Sequence, residues 1–388
     1  MNVPPLDLCA QYASIRDEID AAVAQVFLRQ QFRGGPLLDA FEADLAAFAG
    51  ARHAIGVASG TDALYLALRA LPLSPGDEVI TTPFSFFATA GAIVNAGGIP
   101  VFADIEPGTF NMDPACVEAL VTPRTRAILP VHIFGQCASM DILSDIATRH
   151  GLALLEDATQ ALGARYQNRD IGSWGYAATL SFYPTKNLGA AGEGGAVLTN
   201  DDHVASQIRL LMGHGASAPY NHVTVGVNSH LHTIQAAVLH AKLKHLAAWN
   251  EARRERAQYY STHLAGMPGI TTPVATDGAY HVYHQYVIRV RERDAAQQRL
   301  KDQGIASSVF YPIPLHRQPC FAPVVPFQDA CPEADRACAE VLALPIYPEL
   351  TRKQQDAVIE ALFRIHTPVV TRKNRLYAAL FNQREVIR

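Results

Sequence analysis

The sequence has no CxxC pair, and its six cysteines (Cys9, Cys116, Cys137, Cys320, Cys331 and Cys338) form no regular framework. That excludes a disulfide-stapled scaffold and fits reduced, mostly buried thiols in a cytoplasm. There is no basic block, and the net charge is −4, so no nucleic-acid surface is expected. No apolar run approaches the roughly 20 residues that a membrane span requires. Residues 1–20 carry acids early and no continuous apolar stretch, so a signal peptide is not expected either. A Walker-type GxxxxGK[ST] is absent, which removes the commonest nucleotide-hydrolase reading. Internal repeats and low-complexity tails are missing as well. His230 and His232 could pass for a metal pair, but no cysteine or acid stands at matching spacing, and no metal is expected.

What remains is an ordinary globular composition, 49% hydrophobic and 18% charged. At 388 residues the chain exceeds one typical core, so two domains are expected, a large one over 1–245 and a small one over 246–388. Between residues 51 and 200, short β-rich runs alternate with helical patterns. Strands are expected at 54–58, 78–82, 100–104, 126–131, 152–156, 177–183 and 196–199, and helices at 62–70, 88–95 and 140–150. Several of the strands are continuous apolar runs, as in strands covered on both faces. The alternation predicts an α/β layered fold around a mostly parallel sheet. A Gly-rich loop from Gly189 to Gly195, rather than a helix, joins the last two strands, which predicts an antiparallel pairing there. One long helical stretch follows over 229–264. Beyond Gly266, prolines cluster at Pro312, Pro314, Pro319, Pro323, Pro326 and Pro332. A smaller α+β unit is expected in that region, with a strand at 283–291 that has a solvated face and final helices at 332–342 and 351–365.

The chemistry gathers around Ser181-Phe182-Tyr183-Pro184-Thr185-Lys186-Asn187. Lysines are usually solvated surface charges. Lys186 instead lies between a strand end and a Gly-rich loop, where a partly desolvated amine has a lowered pKa and becomes nucleophilic. Asp157 ends the apolar run Leu152-Ala153-Leu154-Leu155, at the carboxyl edge of the sheet where open α/β folds bind ligands. It could accept a hydrogen bond from a protonated pyridine nitrogen, or simply cap a helix. Gln160 would lie near the same face. Ser59-Gly60-Thr61-Asp62-Ala63-Leu64 joins a strand to a helix and suits a phosphate cradle or a plain capping turn. Ser181 would add a hydroxyl to the phosphate. Phe86, after another strand end, could stack on a flat cofactor or belong to the core. Together these residues are what a pyridoxal 5′-phosphate enzyme needs. Gly213-His214-Gly215-Ala216-Ser217-Ala218 fits a dinucleotide pattern, but it follows a helical stretch rather than a strand and is discounted.

These motifs, in this order, resemble the DegT/DnrJ/EryC1/StrS family of nucleotide-sugar aminotransferases. The resemblance begins near Gly35-Pro36 and Phe41-Glu42. It runs through Pro130-Val131-His132-Ile133-Phe134-Gly135-Gln136 and the Gly226–Leu239 region to Tyr311-Pro312-Ile313-Pro314-Leu315-His316 and Leu344-Pro345-Ile346-Tyr347-Pro348. It implies a fold-type I pyridoxal phosphate transferase, a three-layer sandwich with a seven-stranded sheet whose large domain binds the cofactor. It implies that Lys186 carries the Schiff base, that Asp157 faces the pyridine nitrogen and Gln160 the ring hydroxyl, that Gly60, Thr61 and Ser181 hold the phosphate, and that Phe86 stacks on the ring. Asn228 matches an asparagine that reaches the cofactor phosphate of a neighbouring subunit, which implies a homodimer with shared active sites. Tyr311 and His316 match a segment near the sugar or nucleotide.

Residues 230–232 depart from the pattern. The family usually shows Arg-Leu-Asp, and here the chain reads His230-Leu231-His232, so a permanent forked anion binder is replaced by a titratable ring at a position expected to meet substrate. Thr159 replaces a usual alanine. Retention of the lysine favours amino transfer, because relatives that dehydrate sugars carry histidine there. The expected reaction moves an amino group from L-glutamate to a nucleotide-linked keto-sugar through a pyridoxamine phosphate form. The Gly226-Val227-Asn228 context leans toward the sugar C3 over C4. Sugar dehydration and a non-catalytic, cofactor-binding regulatory role are the alternatives.

Overall fold

The computed structural model describes residues 2–325 and 331–366; Pro326 and the last residues of the expected small domain, 367–388, lie outside them. Seven strands form the main sheet: β1 (His53–Val57), β2 (Glu78–Thr81), β3 (Ile99–Phe102), β4 (Thr125–Leu129), β5 (Ala153–Asp157), β6 (Ala177–Ser181) and β7 (Gly195–Thr199). Their spatial order is β1-β7-β6-β5-β4-β2-β3. The pairs β2–β3, β2–β4, β4–β5 and β5–β6 are parallel. β7 runs antiparallel to both β1 and β6, as the Gly-rich connection requires.

Both faces of this sheet are covered, which is why its strands read as unbroken apolar runs. Successive residues point to opposite sides. Ile80, Ile128 and Leu154 face one core with Phe41 and Leu45 of α1 (Pro36–Phe48). Val79, Ala127 and Leu155 face the other, with Leu64 and Leu68 of α2 (Gly60–Arg69) and Ile93 of α3 (Ala88–Asn95). Each such fully buried Val, Leu, Ile or Phe side chain contributes about 1.5–3 kcal/mol. The outer helices include α4 (Met140–His150) and α5 (Asp202–Leu211). The result is the expected three-layer α/β sandwich.

The helical stretch expected over 229–264 is two helices, α6 (Thr233–Leu243) and α7 (Leu246–Leu264). Residues 229–232 are extended instead, because Ser229 donates to Asp62 (2.7 Å) and to the sheet edge the Leu231 N–H bonds Gly56 O (3.4 Å). A second sheet follows, β8 (Ile270–Thr271), β9 (Tyr286–Val290) and β10 (Val341–Leu344), all antiparallel. The solvated face expected for the strand at 283–291 is not found. Tyr286, Ile288 and Val290 pack with Tyr260, Leu264 and Leu342 on one side, and Val287 packs with Phe84, Phe102 and Ala337 on the other. Helix α8 (Arg293–Asp302) joins the first of these cores through Ala296 and Leu300. The helix expected over 332–342 ends at Glu340 as α9 (Pro332–Glu340), and Val341 and Leu342 already belong to β10. Helix α10 (Arg352–His366) closes the described chain. Val3 also packs in this second core and bridges to Ile305, so the start of the chain is tied to its C-terminal half. Among the described residues, no helix is long and apolar enough to cross a membrane.

Asp104, just past β3, ties the two cores together. Its carboxylate accepts the N–H groups of Glu333 and Ala334 (2.9 Å each) and so caps α9. Asp104→Ala is expected to cost about 1–2 kcal/mol, read as a lowered urea midpoint. An unchanged midpoint would show that the cap contributes nothing to docking of the second core.

Candidate active site

The carboxyl ends of β1, β2, β5 and β6 open into one cavity of about 470 Å³, within the usual range for small-ligand sites. It is lined by eight of the residues singled out above: Gly60, Thr61, Phe86, Asp157, Gln160, Ser181, Lys186 and Tyr311.

The floor beside β1 is the N-terminus of α2. Ser59 caps it by accepting the Asp62 N–H (3.1 Å), and the helix dipole leaves this end favourable to an anion. Glycine is required at two points. A Cβ at Gly60 would lie 2.6 Å from the Ser181 Cβ, and one at Gly195 would lie 2.4 Å from the Ser59 carbonyl oxygen. The backbone can therefore close around a phosphate, with the Ser181 side chain drawn in against the turn.

Asp157 ends β5 with its side chain buried. Both carboxylate oxygens are already oriented. Thr89 donates to Oδ2 (2.7 Å), and Thr159 donates to Oδ1 through its hydroxyl (2.7 Å) and its N–H (3.2 Å). The adjacent Glu156 points the other way, to His132 (3.0 Å) and the Gly172 N–H (3.1 Å). The His132 Nδ1 accepts the Ala138 N–H (3.2 Å), so its proton is on Nε2 and is donated to Glu156.

Lys186 stands in the loop between β6 and β7. Asn187 anchors that loop by donating to Asn250 (2.8 Å) and to the Val282 carbonyl (3.1 Å), and Lys242 does so by donating to the Gly189 carbonyl (2.8 Å). Burial pushes the Lys186 ammonium down from its ordinary 10.5 to about 8, while the Asp157 carboxylate pulls the other way. Gln160 accepts the Phe134 N–H (3.0 Å) and donates to the Tyr311 hydroxyl (3.1 Å). Burial raises the Tyr311 phenol well above its usual value, so it keeps its proton. Phe86 is 58% exposed along the cavity, whereas Phe84 is packed among Phe110, Phe134 and Tyr311.

Three of the residues singled out in the sequence do not line the cavity. Asn228 is exposed and bridges to Gly213. His230 lies against the Arg33 guanidinium. His316 is turned inward, with a side chain only 1% exposed, beside Phe102 and 3.6 Å from Asp335. Conversely, Thr89 and His284 line the cavity without having been singled out, and Thr159, noted only as standing where an alanine is usual, lines it too. Thr89 follows Phe86 by three residues and Thr159 follows Asp157 by two, so both are local to positions the sequence marks. His284 has no local signal. It comes from the lead-in to β9, and burial, then Lys186 and Arg253, hold its ring well below the usual histidine value, so it is neutral.

The electrostatics can be read on the protein without cofactor. Amine-selective labelling of Lys186 at varied pH, followed by peptide mass analysis, should show a midpoint near 8. Asp157→Asn removes an attraction that favours the ammonium, so the midpoint should fall further. A midpoint in the ordinary lysine range would contradict the burial argument.

Residues 13–363 match the DegT/DnrJ/EryC1/StrS aminotransferase family. The chain is 50% identical to a pleiotropic regulatory protein of Geobacillus stearothermophilus over 93% of this chain and 98% of that one. It is 44% identical to the UDP-N-acetyl-3-dehydro-alpha-D-glucosamine 3-aminotransferase of Acidithiobacillus ferrooxidans, covering 93% and 97% of the two chains. The crystal structure of DesV from S. venezuelae superposes with a TM-score of 0.92 at 44% identity, covering 95% of this chain and 100% of that one. The chain belongs to the DegT/DnrJ/EryC1/StrS aminotransferase family.

Proposed function

We propose that this protein moves an amino group from L-glutamate to the C3 keto carbon of a nucleotide-linked sugar, with pyridoxal 5′-phosphate as its cofactor. The observation that carries the reading is one cavity holding a desolvated lysine, a buried carboxylate clamped on both oxygens, and a helix N-terminus closed around two glycines. Those residues fit the cofactor. The α2 N-terminus with Gly60, Thr61 and Ser181 would take its phosphate, Asp157 its ring nitrogen, Gln160 its ring hydroxyl and Phe86 a face of the ring. Bound there, the cofactor supplies an aldehyde that captures amines and a ring that withdraws electrons.

The protein's own part is proton handling and positioning. A Lys186 pKa near 8 rather than 10.5 gives a few-hundred-fold larger neutral fraction at neutral pH. With the cofactor bound, the Lys186 Nζ would be the base that removes the donor's α-proton in one half-reaction and the acid that protonates the sugar carbon in the other. The two threonine hydroxyls hold Asp157 in one orientation, so its charge need not reorganise during the reaction. Tyr311, kept protonated, offers a donor on the substrate side, and His230 is the second substrate-side residue. His316 turns its ring to Phe102 and Asp335 instead, which leaves Tyr311 and His230 as the substrate-side residues.

The reading includes a homodimer in which Asn228 reaches the neighbouring subunit's phosphate. Exposed Tyr220, Val223 and Val225 beside this segment support it. It also includes a cofactor-binding domain over 1–245 and a small domain over 246–388, with α7 carrying the chain from one to the other, and action in the cytoplasm, supported by six unpaired cysteines. A regulatory, non-catalytic role is the second reading, favoured by the name of the 50% identical relative.

The test is a pair of spectroscopic half-reactions. L-glutamate should convert the loaded protein to its pyridoxamine form, and UDP- or dTDP-linked 3-keto-sugars, more than 4-keto-sugars, should convert it back. Lys186→Ala should lose at least about 10³-fold in rate. Undiminished transamination by that variant would refute the assignment. A wild-type protein inert to glutamate would favour the regulatory reading, and water loss from the sugar without glutamate consumption would favour dehydration.

A further inference from the structure

The segment 228–232 is extended, and it alternates. Ser229 and Leu231 are 0% and 1% exposed. Ser229 is tied to Asp62 in the first turn of α2 and to the Ala58 N–H of the cradle (3.2 Å). Asn228, His230 and His232 therefore share the opposite, outward face. Arg33 pairs with His232 in an antiparallel bridge. Residues opposite one another in such a pair share a face, and a long side chain reaches the diagonal neighbour. Here the Arg33 guanidinium reaches His230.

The chemistry of this face is one-sided. A guanidinium can only donate, so the His230 Nε2 that meets it must accept, which makes the ring neutral. Burial, then Arg33, His214 and His232, push the His230 pKa down and favour that same form. The fixed charge on this face is therefore Arg33's. Arg33 is exposed, and its guanidinium, which carries five N–H donors, meets His230 through one nitrogen. Two acids of the elements around the cradle are engaged elsewhere. Glu42 takes the Gly56 N–H (2.7 Å) and Arg209 (2.8 Å), and Asp62 takes Ser229. A planar cation is thus held on the segment tied to the cradle, and among the described residues no carboxylate pairs with it.

We propose that Arg33, with His230, binds a carboxylate or phosphate oxyanion of the substrate in the assembled enzyme. The proposal rests on the amino-transfer and shared-site reading above. The oxyanion has two possible sources, the side-chain carboxylate of L-glutamate and the diphosphate of the nucleotide sugar.

The experiment uses the full-length loaded protein carrying Arg33→Ala, and Arg33→Ala combined with His230→Arg. Glutamate and L-alanine are titrated in the first half-reaction by cofactor absorbance, and UDP and dTDP by calorimetry. If the donor is the source, Arg33→Ala raises the half-saturating glutamate concentration at least tenfold, leaves the rate at saturation within threefold, and leaves alanine and both nucleotides unchanged. If the sugar nucleotide is the source, nucleotide affinity falls at least tenfold and glutamate is unchanged. In either arm the added His230→Arg, which puts a guanidinium on the same face, recovers most of the loss. Half-saturation and nucleotide affinity both within twofold of wild type would overturn the proposal, as would a loss that the second arginine does not relieve. Should the wild type fail to react with glutamate, the amino-transfer reading fails, and the nucleotide titration still decides the role of Arg33.

Discussion

The site depends on the opposition between desolvation of Lys186 and its attraction to Asp157. Burial alone would leave a neutral amine with little hold on its place, and the carboxylate alone would fix an ammonium too weakly acidic to give up its proton. Together they bring the lysine to about 8, where it can both release and take a proton near neutrality. The fold supplies the two partners from neighbouring strands. Asp157 ends β5 and Lys186 follows β6, and the parallel pairing of Asp157 with Thr179 sets their relative height. The three-layer sandwich is the scaffold that makes this register rigid.

A second layer of constraint surrounds that pair. Thr89 and Thr159 occupy the Asp157 oxygens from two different segments, and Gln160 connects the Phe134 backbone to Tyr311. Tyr311 comes from the C-terminal half, which reaches the cavity because Val287, Ala334 and Ala337 pack against Phe84 and Phe102. The site is thus completed where the two cores meet, with Asp104 capping α9 across the junction.

Much of this could be read from the sequence because it is locally encoded. Strand-to-turn junctions announce themselves by an apolar run followed by small or polar residues, so Ser59 to Thr61, Asp157 and Ser181 to Lys186 stood out. So did the reversed strand after the Gly-rich loop. What could not be read was long-range. His284 and the Arg33–His230 contact arise from pieces far apart in the chain, with no spacing to betray them. The strand at 286–290 looked half-solvated because its apolar residues are interrupted by arginine. In the fold it is wedged between two cores, and Arg289 reaches out to Glu333 and Glu340. His316 was placed near substrate by the motif around it, but its ring turned toward Phe102 and Asp335.

The central claim is that one amine, on Lys186, meets the cofactor's aldehyde. Borohydride reduction of the pyridoxal phosphate-loaded protein, followed by peptide mass mapping, tests it most directly. A single stable pyridoxyl label is expected on the peptide carrying Lys186. A label on any other lysine, or none at all despite bound cofactor, would contradict it.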